Sequence, residues 1–152
     1  MKNLLVIIVL LSSVSINPLQ AQTESDEAEM KAFAEKYVAA YNQEDVEAIK
    51  KMYMADAVRV DTEGKEIKGA DQIAAFFEDQ FIKNKTTLKV NQNNISWSDA
   101  QHAFIASGTY EVKGATIVYD LKIDNKGTYE NTMIKEKGEW KIAKSVLTAE
   151  KD

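Results

Sequence analysis

KYVAAYNQEDVEAIKKMYMADAVRVD, residues Lys36–Asp61, decides the fold because two helical periods run without a break into an alternating one. Upstream and into this stretch, Met30, Phe33, Ala34, Tyr37, Val38 and Tyr41 keep the i, i+3, i+4, i+7 spacing of one buried helix face. After Asn42-Gln43-Glu44-Asp45 the spacing resumes at Val46, Ile49, Met52 and Tyr53. The pattern predicts one helix over about Asp26–Tyr41, a second over about Asp45–Met54 and a strand over Ala57–Asp61. Tyr37 and Tyr41 then point inward, one helical turn apart. Within the strand, Val58 and Val60 share one face while Arg59 and Asp61 share the other. If the valines face the core, Asp61 is a surface acid beside a turn. If Asp61 faces it, Arg59 comes too and holds the carboxyl pKa down.

Working outward, Ser25 with Asp26, Glu27 and Glu29 reads as a cap and acidic first turn for the first helix. Downstream, Thr62-Glu63-Gly64 joins the strand to Lys65–Lys68 as a small hairpin, and a third helix follows Gly69 with Ile73, Phe76, Phe77, Gln80 and Phe81 on one face. From Asn84 the period becomes two. Leu88 and Val90 have one parity and Ile95 and Trp97 the other, which predicts a bulge near Gln92-Asn93-Asn94. Phe104, Ala106, Gly108, Tyr110 and Val112 form one face of the next strand. Lys113-Gly114 and Asp124-Asn125-Lys126-Gly127 read as turns around an extended arm or extra hairpin at Ile117–Ile123. A strand over Thr128–Lys135 turns at Glu136–Glu139 into a last strand beginning at Trp140. Helices first and antiparallel strands after make an α+β chain.

Lys2, the apolar run Leu4–Leu11 and the small-residue end Leu19-Gln20-Ala21 predict a secretory signal peptide over residues 1–21, cleaved before Gln22. The apolar run is short for a membrane span, and a polar TESDEAE segment follows, so a soluble exported chain, secreted or periplasmic, is expected. Residues 22–152 suit a single domain that buries roughly two thirds of its unfolded surface. No cysteine is present, so the fold rests on its core, not on disulfides. The net charge of −5, with lysines scattered among acids, argues against nucleic acid and anionic membrane partners. With His102 the only histidine, no metal site or cofactor is expected. Apolar residues on both parities from Leu88 to Leu147 predict a sheet covered on both faces, by helices and by a second copy in a homodimer.

These residues resemble the nuclear transport factor 2-like superfamily, including ketosteroid isomerases and SnoaL-like polyketide cyclases. The resemblance rests on the opening stretch, the Gly69-Ala70-Asp71-Gln72-Ile73 entry to the third helix, ASGTYEVKG, and GTYENTMIKEKGEWKI. It implies a cone-shaped α+β domain, three N-terminal helices packed on a curved, mainly antiparallel sheet. It also implies a site. The oxyanion-binding tyrosine of the isomerases falls on Tyr37, their general-base aspartate on Asp61 and their protonated acid on Glu130. A register shifted by one residue would present Tyr129 or Asn131 instead. Phe77, Trp97, Phe104 and Tyr110 would wall the cavity, with Tyr41, Tyr53 and Arg59 also lining it. The fold hosts several functions. The leading expectation is an exported domain binding a small, largely apolar molecule. The alternatives are an isomerase or cyclase using Asp61 as base, and a dimerising or assembly module without ligand.

Overall fold

A computed structural model describes residues 18–150. Most of the expected signal segment, residues 1–17, lies outside the described residues, and side chains are described from Thr23 onward. The elements run α1 (Pro18–Asn42), α2 (Val46–Lys51), β1 (Tyr53–Val60), β2 (Glu66–Lys68), α3 (Ala70–Lys83), β3 (Asn84–Ser98), β4 (Ala103–Thr116), β5 (Lys122–Glu136) and β6 (Glu139–Ala149). One curved six-stranded sheet, in the order β2-β1-β6-β5-β4-β3, carries the helices on its concave face. Its neighbours are antiparallel except β1 and β6, which run parallel. This is the cone-shaped α+β architecture that the resemblance implies.

Three boundaries differ from the sequence reading, each for a physical reason. α1 begins at Pro18, a residue suited to a helix's first turn, so Ser25 lies about two turns inside it and does not cap it. α2 ends at Lys51, not Met54. Asp45 caps it by accepting from the Ala48 N–H at 2.9 Å. The sheet then captures the chain: the Met52 carbonyl accepts from the Ile142 N–H at 2.9 Å and Tyr53 pairs with Ile142, so Tyr53 belongs to β1. The third difference is the arm. Lys113-Gly114 and Asp124–Gly127 lie within paired strands, and the chain reverses only at Ile117–Leu121, making one long β4–β5 hairpin. Ladder pairing overrides turn propensity there. The tip is held by Thr116, whose Oγ1 accepts from the Leu121 N–H at 3.0 Å. It leaves Ile117, Val118, Tyr119 and Leu121 exposed.

The expected bulge is present between Gln92 and Asn94 in β3, and a second irregularity sits in β6, where Thr132 pairs with Lys144 but Met133 with Ile142. Each shifts the side-chain parity without changing face. They account for part of the two-parity pattern in the sequence: Ile142 and Leu147 both face the helices. The convex face keeps a few half-buried aliphatics, Val58, Val60, Ile105, Ile134 and Val146, among threonines and charged residues.

Met30, Ile49, Ile73, Met133 and Ile142 are fully buried and form the centre of the core between helices and sheet. Each such side chain contributes about 1.5–3 kcal/mol. α3 follows Gly69, whose φ of 88° is a left-handed conformation that glycine adopts without cost. At the other end of the helical layer, Asn42 ties α1 to β3 by donating to the Leu88 carbonyl and accepting from its N–H, at 3.1 and 2.7 Å. Glu29 accepts from Lys135 and from the Trp140 indole, both at 2.8 Å, fixing α1 to the β5–β6 hairpin.

Candidate ligand-binding cavity

Helices α1 and α3 do not seal against the concave sheet. They leave a cavity of about 490 Å³, within the range of small-molecule sites. A small residue, Ala106, faces this volume from the sheet, and Gly108 follows two residues along the same strand. A Cβ at Gly108 would lie 2.0 Å from the Asn91 carbonyl oxygen, so strand pairing itself requires glycine.

Five of the six tyrosines line this cavity, namely Tyr37, Tyr41, Tyr53, Tyr110 and Tyr129. Tyr37 and Tyr41 come from successive turns of α1. The Tyr37 and Tyr53 hydroxyls meet at 3.0 Å, their rings edge to face with centroids 6.3 Å apart. The Tyr41 hydroxyl meets Thr86 Oγ1 at 3.0 Å, and its ring packs edge-on against Phe77 and Phe81. Arg59 reaches in from β1. Its guanidinium lies over the rings of Phe76 and Phe77, 5.5 and 5.1 Å from their centroids. The residue is largely withdrawn from solvent and lines the cavity. Among the described residues no carboxylate forms an ion pair with it.

Among the described residues three buried side-chain polar atoms have no hydrogen-bond partner: Arg59 Nε, the Tyr129 hydroxyl and Asn131 Oδ1. All three residues line the cavity. Groups so placed are ordinarily satisfied, and leaving one unsatisfied costs about 1–3 kcal/mol. Burial pushes the Tyr129 hydroxyl up to about 12 and is its sole cause. It also raises Tyr37 well above the usual phenol range, aided by the Tyr53 hydroxyl and opposed by Arg59. Tyr41 and Tyr110 are raised by burial too. These phenols stay protonated at neutral pH and act as donors. Burial works against the Arg59 charge; a hydrogen bond with Tyr53 and, in alkali, the ionised phenols of Tyr53, Tyr37 and Tyr41 raise its pKa, so the guanidinium is cationic at neutral pH, where those phenols are neutral and carry no counter-charge.

Arg59 and Asp61 face the cavity together, and Val58 and Val60 face away. Asp61 sits at the rim, half-buried, and its Oδ1 accepts from the Glu63 and Lys65 backbone N–H groups, each at 2.9 Å, closing the β1–β2 turn. Glu130 is exposed on the convex face, opposite Ser107 and Val146, because its neighbours Tyr129 and Asn131 take the concave one. Tyr37, Asp61 and Glu130 therefore do not converge on one point. Trp97 is 52 % exposed, donating to Asp99 at 2.7 Å, and Phe104 is buried between Trp97 and Trp140; neither lines the cavity. The sequence reading placed Tyr129 and Asn131 only as products of a shifted register. The small residues Ala106 and Gly108 on the facing strand were the signal for them: Asn131 pairs with Ala106 and Tyr129 with Gly108, so the volume left by the small pair is where the larger side chains project. Among the described residues no three of His, Cys, Asp or Glu gather as metal ligands.

The architecture and the chain both have relatives. A ketosteroid isomerase-like protein from Erwinia carotovora atroseptica superposes with a TM-score of 0.72 at 17 % identity, covering 82 % of this chain and 96 % of that one. A conserved protein from Planctomyces limnophilus gives 0.73 at 12 %, covering 84 % and 99 %. ActVI-ORFA from Streptomyces coelicolor gives 0.70 at 12 %, covering 83 % and 98 %. At such identities these similarities speak for the fold. No match arises among curated protein sequences. The family model of the nuclear transport factor 2 domain matches residues 29–126, more than half of the chain. This chain belongs to the nuclear transport factor 2 domain family.

Proposed function

We propose that this protein binds a small, largely apolar molecule in its cone, as an exported domain whose first 21 residues are a signal peptide. The observation that supports this is a cavity of about 490 Å³ lined mainly by aromatic and aliphatic side chains, three of whose lining residues carry a buried polar atom without a protein partner. A titration with the neutral fluorophore 1-aminoanthracene tests it. Saturable binding of one probe per chain is expected, and it should be lost in a folded Ala106→Phe variant, whose added ring fills the cavity. Unsaturable binding, or binding that survives Ala106→Phe, would count against it. Intact mass of exported protein should begin at Gln22. A homodimer through the convex face, carried by Val58, Val60, Ile105 and Val146, belongs to the same reading, and a stable monomer in sedimentation at micromolar concentration would remove it.

A second reading is supported by Tyr37 and Asp61 lying on one cavity. In it, Asp61 would shuttle a proton beside a carbonyl while the Tyr37 hydroxyl, paired with Tyr53, stabilises the developing oxyanion. It takes support from the likeness to the ketosteroid isomerase-like protein of Erwinia. Its expected signature is turnover of a β,γ-unsaturated ketone that disappears in Asp61→Asn.

A further inference from the structure

Arg59 is the only arginine in the sequence, and every ion pair among the described residues is made by a lysine. The one planar, forked cation in the chain lies inside the cavity, over two phenylalanine rings and without an acidic partner. A guanidinium is suited to bidentate recognition of a carboxylate, where a lysine offers only a point charge. Its surroundings complete the picture. Arg59 and Asn131 both register with Ser145 of β6, so they stand in one row across three adjacent strands, two strand spacings or roughly 10 Å apart at the backbone. Tyr129 lies two residues along β5 from Asn131, in the next row on the same face, towards the rim formed by Asp61, Asn125 and Glu150. The side chains of Arg59, Tyr129 and Asn131 thus line one space, and two donors, Arg59 Nε and the Tyr129 hydroxyl, and one acceptor, Asn131 Oδ1, have no protein partner.

Resting on the binding function above, we propose that the ligand is an organic monoanion. It carries a carboxylate on an apolar body, its oxygens accept from Arg59 and Tyr129, and a hydroxyl on its body donates to Asn131. One guanidinium balances one negative charge. A dianionic phosphate would leave an excess charge among neutral phenols, below a rim where Asp61, Asp124 and Glu150 outnumber the single cation Lys126, itself paired with Glu111 at 3.6 Å. A wholly neutral ligand would leave the guanidinium buried without a counter-charge.

The test displaces 1-aminoanthracene with two compounds of nearly the same shape, 2-naphthoate and 2-naphthamide, at pH 7.5. The natural protein should prefer the naphthoate at least tenfold. In Arg59→Met, which keeps the length and removes the charge, 1-aminoanthracene should still bind and the preference should fall to about one. Equal displacement by both compounds, or displacement by neither while the fluorophore binds, overturns the anion assignment and leaves the binding function standing. A preference that persists in Arg59→Met overturns the role of Arg59. Failure of 1-aminoanthracene to bind the natural protein at all removes the binding function and this inference with it.

Discussion

Arg59→Met in the ligand-free protein should raise stability. In the natural chain the guanidinium is surrounded by protein, pairs with no carboxylate among the described residues, and leaves Nε without a partner. Burying an ion costs several kcal/mol after relaxation. The contacts with Phe76 and Phe77 return about 1–2 kcal/mol each in a desolvated setting. Methionine keeps the apolar packing against both rings and removes the desolvation cost. The balance favours the variant by about 2 kcal/mol, an increase in Tm of roughly 6–8 °C for a domain of this size. Differential scanning calorimetry in low-salt buffer measures it, and saturating 2-naphthoate should then raise the Tm of the natural protein alone. A variant that melts several degrees below the natural protein would refute the reasoning, because it would mean that the guanidinium is a satisfied structural ion.

Asp61→Asn retains an Oδ1 acceptor for the Glu63 and Lys65 N–H groups, so urea unfolding should shift by less than about 1 kcal/mol; a loss above twice that would show that the charge itself holds the turn. The raised Tyr129 pKa means that the folded state keeps a proton the unfolded chain gives up near pH 10. Its contribution is therefore fully present below about pH 10 and is lost as pH rises towards 12. Tyr129→Phe should flatten that part of the urea-midpoint curve, and an unchanged alkaline limb would contradict the burial of this hydroxyl. Gly108→Ala would set a methyl group against the Asn91 carbonyl at 2.0 Å and against Gln92 Cα at 2.9 Å, both backbone, at a cost of about 3 kcal/mol. A change under about 1 kcal/mol would show that β3 and β4 separate there easily.

Much of the fold was legible because its signals are local. The periodicity of α1 and α3, the Gly69 entry and the Gln92–Asn94 bulge are each written within a few residues. So is the last hairpin, whose Lys137 and Gly138 both have positive φ, at 51° and 81°, as a two-residue turn requires. What misled was pairing at a distance. Nothing between Asp45 and Met54 tells the chain to leave the helix at Met52; that instruction comes from Ile142, far along the sequence. Likewise Gly114 and Asp124–Gly127 are turn formers that a long ladder overrules. The site divides in the same way. Tyr37, Tyr41, Arg59 and Phe77 follow from helix and strand parity. The opposite facing of Glu130 and Tyr129 depends on the register of β5 between β4 and β6, which the alternation alone leaves open by one residue.

The most direct test of the central claim is chemical-shift mapping of the protein titrated with 1-aminoanthracene. Two apolar surfaces compete for such a probe, the tyrosine-lined cavity and the exposed hairpin tip at Ile117–Leu121, where Val118 and Tyr119 are 77 % and 78 % exposed. Binding in the cone should move the signals of Tyr37, Tyr53, Arg59, Tyr129 and Asn131 together on one saturable isotherm and leave the tip unchanged. Shifts confined to Ile117–Leu121, with the cavity residues silent, would contradict it.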